Sequence, residues 1–192
     1  MTGTGMQRAV GFSDPEKRQK DDFYETPPEA TLELLKREKF EGVIWEPAVG
    51  AGAISKVLAQ HGYFVVGSDL RTDNIYGDYP GRDFLTTPFP GQCPSPDSIV
   101  TNPPFKLALQ FILRSLSEPS VKKVAMFARI QLLESKERYL ELWSKYPPVR
   151  VYIFSQRVTC HKDGVSIMAF CWYIWEKGYT GRPELHWILP EK

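Results

Sequence analysis

Apolar and polar positions follow two different periods along this chain, and the two periods alternate. Compact apolar runs rich in β-branched and aromatic residues predict β-strands. Segments with this pattern are 42–47, 63–70, 97–100, 122–128, 149–155 and 166–176. Between them, apolar side chains recur at the spacing of one helix face. Segments with this second pattern are 26–40, 53–62, 105–116 and 135–146.

This alternation of strands and helices predicts an α/β fold, with a mostly parallel twisted sheet and helices on both of its faces. The last two strands, 149–155 and 166–176, have no helix-length segment between them. We therefore expect them to pair antiparallel at one C-terminal edge of the sheet. In open sheets of this kind, ligands bind at the carboxyl ends of the strands.

The first predicted helix carries a recognisable start signal. Thr26 is a suitable N-cap, Pro27 and Pro28 suit the first turn, and Glu29 stands where it would complete a capping box. The sequence therefore predicts that the Thr26 hydroxyl caps this helix.

Composition and charge limit the kind of protein. The chain has 192 residues, of which 42% are hydrophobic, and its net charge is +1. These values are typical of a globular domain, and they provide no bulk attraction to a polyanion. We expect a flexible arm over residues 1–20 and a single domain over residues 21–192, without a separate target-recognition domain. Three scattered cysteines and the lack of an apolar leader or membrane-length run favour the cytoplasm.

Two loops that follow predicted strands carry residues suited to a ligand. In "EPAVGAG", Glu46 ends a strand, and Gly50 and Gly52 lead into a helix whose N-terminus a ligand could approach. Asp69 ends the next strand, where an acid commonly accepts ribose hydroxyls in nucleotide-binding folds. Each feature has an ordinary structural alternative: a tight turn for the glycines, and a helix cap or solvated strand end for the acid.

A third strand end carries "TNPPF". Its two prolines fix φ twice and remove two backbone donors, so the segment is stiff and offers acceptors. The amide oxygen of Asn102 and the carbonyl of Pro103 could each accept one N–H of an amine, while Phe105 offers a face to a planar base. The alternative is a strand terminator, since Pro-Pro ends pairing. Its position beside two ligand-type loops favours a site for an amine.

Together these segments resemble S-adenosylmethionine-dependent DNA amino-methyltransferases, in particular the small phage-encoded adenine type. The resemblance covers about residues 21–180 and rests on "DFYETPP", "EPAVGAG", "SDL", "DFL", "TNPPF", "FARIQLLESKER" and "FCWYIWEKGYTGRP". It implies a Rossmann-like methyltransferase fold, S-adenosylmethionine as cofactor and no metal. The reaction implied is methyl transfer to the N6 amine of an adenine flipped out of double-stranded DNA. For a phage protein, the location implied is the host cytoplasm.

The resemblance also implies roles for individual residues. Catalysis would fall on Asn102, Pro103, Pro104 and Phe105. The cofactor-binding residues would be Tyr24, Thr26 and Pro27 over the methionine part, Glu46, Ala48 and Gly50 in the glycine loop, Asp69 at the ribose, Asp83 and Phe84 at the adenine ring, and Asn102.

Basic residues near the predicted rim are candidates for contacts with DNA phosphates. They are Lys106, Arg129, Lys136, Arg138, Arg157 and Lys162. For any one of them, a solvated or salt-bridged surface position is the ordinary alternative. Because little chain remains for base readout, we expect a relaxed target sequence, or a homodimer or separate subunit that supplies specificity.

Other functions remain open at this stage. A methyltransferase could act on another planar amine or amide, such as RNA adenine, cytosine N4 or protein glutamine. A cofactor-binding or DNA-binding module without catalysis could also have this fold. The intact tetrapeptide that begins at Asn102 disfavours the non-catalytic reading.

Overall fold

The computed structural model describes residues 25–73, 75–158 and 168–190. The predicted arm, 1–20, lies outside these residues. The strands are β1 (Val43–Glu46), β2 (Phe64–Gly67), β3 (Ser98–Thr101), β4 (Lys123–Arg129), β5 (Arg150–Phe154), β6 (Phe170–Glu176) and β7 (Glu184–Ile188). The α-helices are α1 (Pro28–Arg37), α2 (Ala53–Gln60), α3 (Ala108–Ser117) and α4 (Lys136–Arg138).

The strands form one seven-stranded sheet in the order β2-β1-β3-β4-β6-β5-β7. Neighbours from β2 to β4 are parallel, which confirms the predicted α/β fold with a mostly parallel sheet. The predicted antiparallel pairing of β5 with β6 is also confirmed.

One detail of the C-terminal edge differs from the expectation. The antiparallel strand β6 lies between β4 and β5 and pairs with both. The edge itself is formed by β7, which runs parallel to β5. Sequence reading missed β7 because its five residues are mostly exposed and carry no continuous apolar run.

Two hydrophobic cores lie on opposite faces of the sheet, because successive strand residues point to opposite sides. In β1, Ile44 belongs to one core and Trp45 to the other. The first core packs under α1 and α2, with Leu34 and Leu58 fully buried. The second packs under α3, with Ile112 fully buried. Helices therefore cover both faces, as predicted.

Two helix predictions need correction. The N-cap of α1 is Pro27, and no side chain caps this helix, so the predicted capping box is wrong. The Thr26 hydroxyl instead accepts a hydrogen bond from Asn102. The helix predicted over 135–146 is short and irregular, since α4 continues as a π-helical turn, Tyr139–Trp143.

An ionic cluster around the buried Glu38 joins the end of α1 to β4 and β5. The Glu38 carboxylate accepts hydrogen bonds from Arg150 Nε at 2.5 Å, from Lys123 Nζ at 2.8 Å and from the Tyr152 hydroxyl at 2.8 Å. Burial would raise the pKa of Glu38, but these three donors outweigh that effect and hold its pKa below the ordinary value. The ionised form of Glu38 is therefore part of the folded structure.

Candidate active site

The carboxyl ends of β1, β2 and β3 surround one cavity, and the start of α2 closes its side. Its lining includes both sides of the glycine loop and the first residues of the described chain. Predicted site residues that line it are Thr26, Glu46, Ala48, Gly50, Asp69, Asn102 and Pro104. Three loops that are distant in sequence thus meet at one sheet edge, where open α/β sheets bind ligands.

The glycine loop needs its glycines for two different reasons. Gly50 and Gly52 both have positive φ, 49° and 83°, which is the left-handed region that favours glycine. Gly52 is also the N-cap of α2. A Cβ there would lie 2.3 Å from the ring of Tyr76, so any side chain would displace the segment that packs over this loop.

Asp69 holds the glycine loop in place. Its carboxylate accepts the backbone N–H of Gly50 at 2.8 Å and the backbone N–H of Arg71 at 2.9 Å. Asp69 is 8% exposed and lines the cavity. A carboxylate has about four acceptor positions, and these two bonds use two of them, so ligand hydroxyls can still donate to it.

Glu46 is the most deeply buried acid of the cavity. The Ser55 hydroxyl, on the first turn of α2, donates a hydrogen bond to its carboxyl group. Burial raises the pKa of Glu46 to about 8; the hydrogen bond from Ser55 opposes this rise, and the charge of Asp69 adds to it. At neutral pH this carboxyl is therefore mostly protonated in the folded chain.

Asn102 is oriented from the opposite side of the cavity. Its Nδ2 donates to the Thr26 hydroxyl at 3.0 Å, across 76 positions of sequence. Thr26 is 3% exposed, so this contact fixes the amide in one orientation with its oxygen turned away from Thr26. Pro104 caps a short 3₁₀ turn, Phe105–Leu107, and its carbonyl accepts the Leu107 N–H at 2.9 Å.

Phe105 follows Asn102 by three residues and does not line the cavity, and its ring contacts Arg129 and Phe170. The guanidinium carbon of Arg129 lies 3.7 Å from the centroid of the Phe105 ring. The ring of Phe170 lies on β6 with its centroid 5.9 Å from that of Phe105. Phe170 in turn stacks on Phe127, at 5.0 Å and almost parallel, so the aromatic contacts run into the core.

The predicted adenine-binding pair, Asp83 and Phe84, does not line the cavity. Asp83 stabilises a turn through the Leu85 N–H at 2.9 Å and the Thr86 hydroxyl at 3.1 Å. Phe84 is 2% exposed, and its ring packs against Trp45 at a centroid distance of 4.9 Å. The role of this pair at the adenine ring stays a prediction.

The basic candidates gather at the same sheet edge as the cavity. Lys106 follows β3, Arg129 ends β4, Lys136 and Arg138 follow β4, and Arg157 follows β5. Lys106, Lys136 and Arg157 are exposed. Arg138 instead donates to the carbonyls of Gln131 at 2.8 Å and Glu134 at 2.6 Å, which stabilises its own loop.

Two predicted site residues, Tyr24 and Lys162, lie outside the residues that the structure describes. Sequence reading also missed two residues that support the cavity and one that lines it. Ser55, which bonds Glu46, shows only as a polar residue on the inner side of an amphipathic helix, and this is a weak signal. Tyr76 lies in a long loop, and no local pattern links it to Gly52. Arg71 lines the cavity and follows Asp69 without any distinguishing spacing.

The described ranges contain no group of three or more His, Cys, Asp or Glu side chains placed to hold a metal ion. Within the same part of the chain, no helix is long and apolar enough to cross a membrane.

Comparison with known proteins places the fold. No protein-family model matches the sequence, and no curated protein matches it. Among solved structures, a modification subunit assigned to a type I restriction enzyme of Vibrio vulnificus aligns with 95% of this chain and 49% of its own, at a TM-score of 0.62 and 13% identity. The type I restriction-modification methyltransferase subunit of Streptococcus thermophilus aligns with 82% of this chain and 45% of its own length. Its TM-score is 0.60 and its sequence identity is 14%.

An RNA-modifying enzyme also aligns. The 23S rRNA methyltransferase ErmE covers 79% of this chain and 67% of its own, at a TM-score of 0.54 and 14% identity. This chain spans about half the length of the two restriction-system subunits. At such identities the comparisons establish the fold, which is the Rossmann-like methyltransferase fold.

Proposed function

We propose that this chain transfers a methyl group from S-adenosylmethionine to the N6 amine of an adenine in DNA. The observation that carries the proposal is the Asn102 amide. Thr26 fixes its orientation in the lining of the glycine-loop cavity, and Phe105 follows three residues later in the chain, outside that lining. A rigid amide acceptor at the edge of a cofactor-type cavity, with an aromatic residue shortly after it in the chain, suits a planar base with an exocyclic amine.

The cavity residues fit S-adenosylmethionine by their chemistry. Asp69 would accept hydrogen bonds from the ribose hydroxyls, and the cationic methionine part would stabilise the ionised form of Glu46, which is mostly protonated without a ligand. Gly50 and Gly52 leave the backbone of the loop open to close approach. When bound, the cofactor supplies an activated methyl group, whose transfer to an amine leaves a neutral thioether and releases one proton.

The Asn-Pro-Pro-Phe segment prepares the acceptor amine. The nitrogen of adenine N6 is a poor nucleophile, because its lone pair is delocalised into the ring. If the Asn102 Oδ1 and the Pro103 carbonyl each accept one N–H, the lone pair is directed out of the ring plane. The two prolines hold these acceptors without reorganisation, so the gain is mainly one of orientation.

DNA is the acceptor that the surroundings of the site favour. Basic side chains such as Lys106, Lys136 and Arg157 are exposed at the same sheet edge, where they can contact phosphates. The adenine has to leave the duplex to reach Phe105, as other enzymes that modify bases require. The restriction-system subunits with this fold support DNA, while the rRNA methyltransferase makes RNA adenine the second candidate.

The experiment that tests this proposal compares variants of Asn102 and of its partner. We expect Asn102→Ala to retain the cofactor and the thermal unfolding temperature, and to lose methyl transfer at least ~100-fold. Thr26→Val keeps the shape but not the hydroxyl, and we expect a loss of roughly tenfold, because the amide is no longer fixed. Thr26→Ser restores the acceptor and serves as the matched control.

The measurement is transfer of labelled methyl groups from S-adenosylmethionine to unmethylated DNA and, in parallel, to RNA. Label that enters DNA in the wild type and is lost in Asn102→Ala supports the proposal. Full transfer by Asn102→Ala would contradict the role of the amide, and label in RNA alone would favour the second candidate.

A further inference from the structure

Arg129 lies on the aromatic surface that the proposed function needs for the base. Its guanidinium carbon is 3.7 Å from the centroid of the Phe105 ring, which is within stacking contact. Phe105 also contacts Phe170, which is 1% exposed and belongs to the core. A base that stacks on the face of Phe105 that Arg129 covers therefore has to take the place of the guanidinium.

The backbone of Arg129 is fixed, so any movement belongs to its side chain. Arg129 is the last residue of β4 and pairs with Phe170 in the register of β6. Its carbonyl accepts a hydrogen bond from the Tyr173 hydroxyl at 3.1 Å. The side chain extends from this anchored point at the edge of the sheet, and rotation about its own bonds can carry the guanidinium away from Phe105.

Charge gives a second reason for such a movement. Methyl transfer moves positive charge from the sulfonium onto the acceptor nitrogen. A guanidinium stacked on the same ring would repel that charge, and the repulsion is strong in a site shielded from water. A phosphate of bound DNA would instead attract the guanidinium and could accept two hydrogen bonds from it.

We propose that Arg129 is a displaceable cover of the base-binding face of Phe105. In the protein without DNA, the guanidinium occupies this face; when a base enters, it moves to a DNA phosphate. This inference rests on the proposed function. It assigns Arg129 a position in the acceptor pocket, in addition to the phosphate contact that its place in the sequence suggests.

If Arg129 covers Phe105 in this way, removing its guanidinium should change the binding of two ligands in opposite directions. A cation–π contact corresponds to about 2- to 30-fold in an equilibrium constant. Removing the guanidinium should therefore strengthen binding of a free planar nucleoside, 2-aminopurine riboside, by about that factor. The same change should weaken binding of duplex DNA and reduce the slope of log K against log salt by about one phosphate contact.

The experiment uses Arg129→Ala and Arg129→Gln, the second of which keeps most of the aliphatic packing. Arg182→Ala is the matched control, because it removes one exposed positive charge elsewhere. Nucleoside binding is followed by fluorescence, and DNA binding is measured at several salt concentrations. In a Phe105→Ala background, Arg129→Ala should no longer strengthen nucleoside binding, since the covered ring is absent.

Tighter nucleoside binding together with weaker DNA binding supports the cover. Unchanged or weaker nucleoside binding in both variants overturns it, and so does loss of the folded state in both, which would show a purely structural role. Methyl transfer by the wild type is measured in parallel. If the wild type modifies DNA and the variants show no tightening, only this inference fails; if the wild type transfers no methyl group, the proposed function fails with it.

Discussion

At the scale of single residues, the two acids of the cavity differ in what they do for the folded chain. Asp69 is satisfied by the backbone N–H groups of Gly50 and Arg71 and supports the loop. Glu46 is buried with the Ser55 hydroxyl as its hydrogen-bond donor, and its pKa is raised to about 8. Ionising Glu46 without a cationic ligand therefore costs stability.

This difference predicts a pH dependence of stability for Glu46. Between about pH 5 and pH 8, Glu46 is ionised in the unfolded chain and protonated in the folded one. The free energy of unfolding should therefore fall as pH rises through this window, by up to about 1.4 kcal/mol per pH unit. Glu46→Gln has no proton to lose, so it should lack this contribution.

Urea unfolding at each pH from 5 to 8 measures the effect. The exposed Glu41→Gln is the control, and its stability should follow that of the wild type. Parallel pH profiles for Glu46→Gln and the wild type would show that Glu46 is not buried as a neutral acid.

At the scale of elements, the Glu38 cluster links α1 to β4 and β5 at the end of the sheet opposite the cavity. Lys123 and Arg150 each also form an ion pair with Glu176 of β6. Three strands and one helix thus share one partly buried set of charges, of which Glu38 is the most buried. Removing one partner from such a set leaves other charges poorly compensated, which costs more than losing an exposed pair.

We expect Glu38→Gln to lower the free energy of unfolding by about 3 kcal/mol at pH 7. The pKa of Glu38 is lowered in the folded chain, so its contribution is present above the unfolded pKa and disappears as acid protonates the folded carboxylate. The difference between variant and wild type should therefore narrow below about pH 4. Glu29→Gln, on the exposed side of the same helix, is the control in denaturant titrations; an equal loss in both variants would contradict the role of the cluster.

The elements also show how far the sequence predicts this structure. The strands β1 to β6 and helices α1 to α3 follow from period and from their flanking glycines and prolines. The edge strand β7 carries exposed Leu185 and Trp187 beside polar residues, so its pattern differs little from that of a loop. Thr26 matches a capping box locally, but its hydroxyl is used by Asn102, a long-range contact that no local pattern reveals.

The sequence likewise predicts some features of the candidate site and not others. Residues at strand ends, such as Glu46, Asp69 and Asn102, could be placed together because parallel strands end at one edge. The stacking of Arg129 on Phe105 cannot be predicted from the sequence, because it depends on how far a side chain from β4 extends toward the turn after β3.

At the scale of the whole molecule, the strands and helices that complete the sheet are distributed along the 87 residues after Phe105. Reading DNA sequence directly needs several side chains held in a groove, each worth roughly 1–3 kcal/mol of discrimination. The segments that the sequence predicts to be available for such contacts are 1–20, 71–96 and 156–165. We therefore predict that this chain alone modifies a short or relaxed target, or depends on a second copy or another subunit for specificity.

Mapping methylated adenines on a plasmid treated with the purified protein tests that prediction. Modification confined to one motif of six or more specified bases would contradict it. Addition of a partner subunit that narrows a relaxed pattern would support the second arrangement.

The proposed function depends on which atom receives the methyl group. The most direct measurement is mass-spectrometric analysis of nucleosides from unmethylated DNA that has been incubated with the protein and S-adenosylmethionine. We predict N6-methyldeoxyadenosine in the wild-type reaction and its loss with Asn102→Ala. N4-methyldeoxycytidine as the product, or unmodified DNA, would contradict the proposed function.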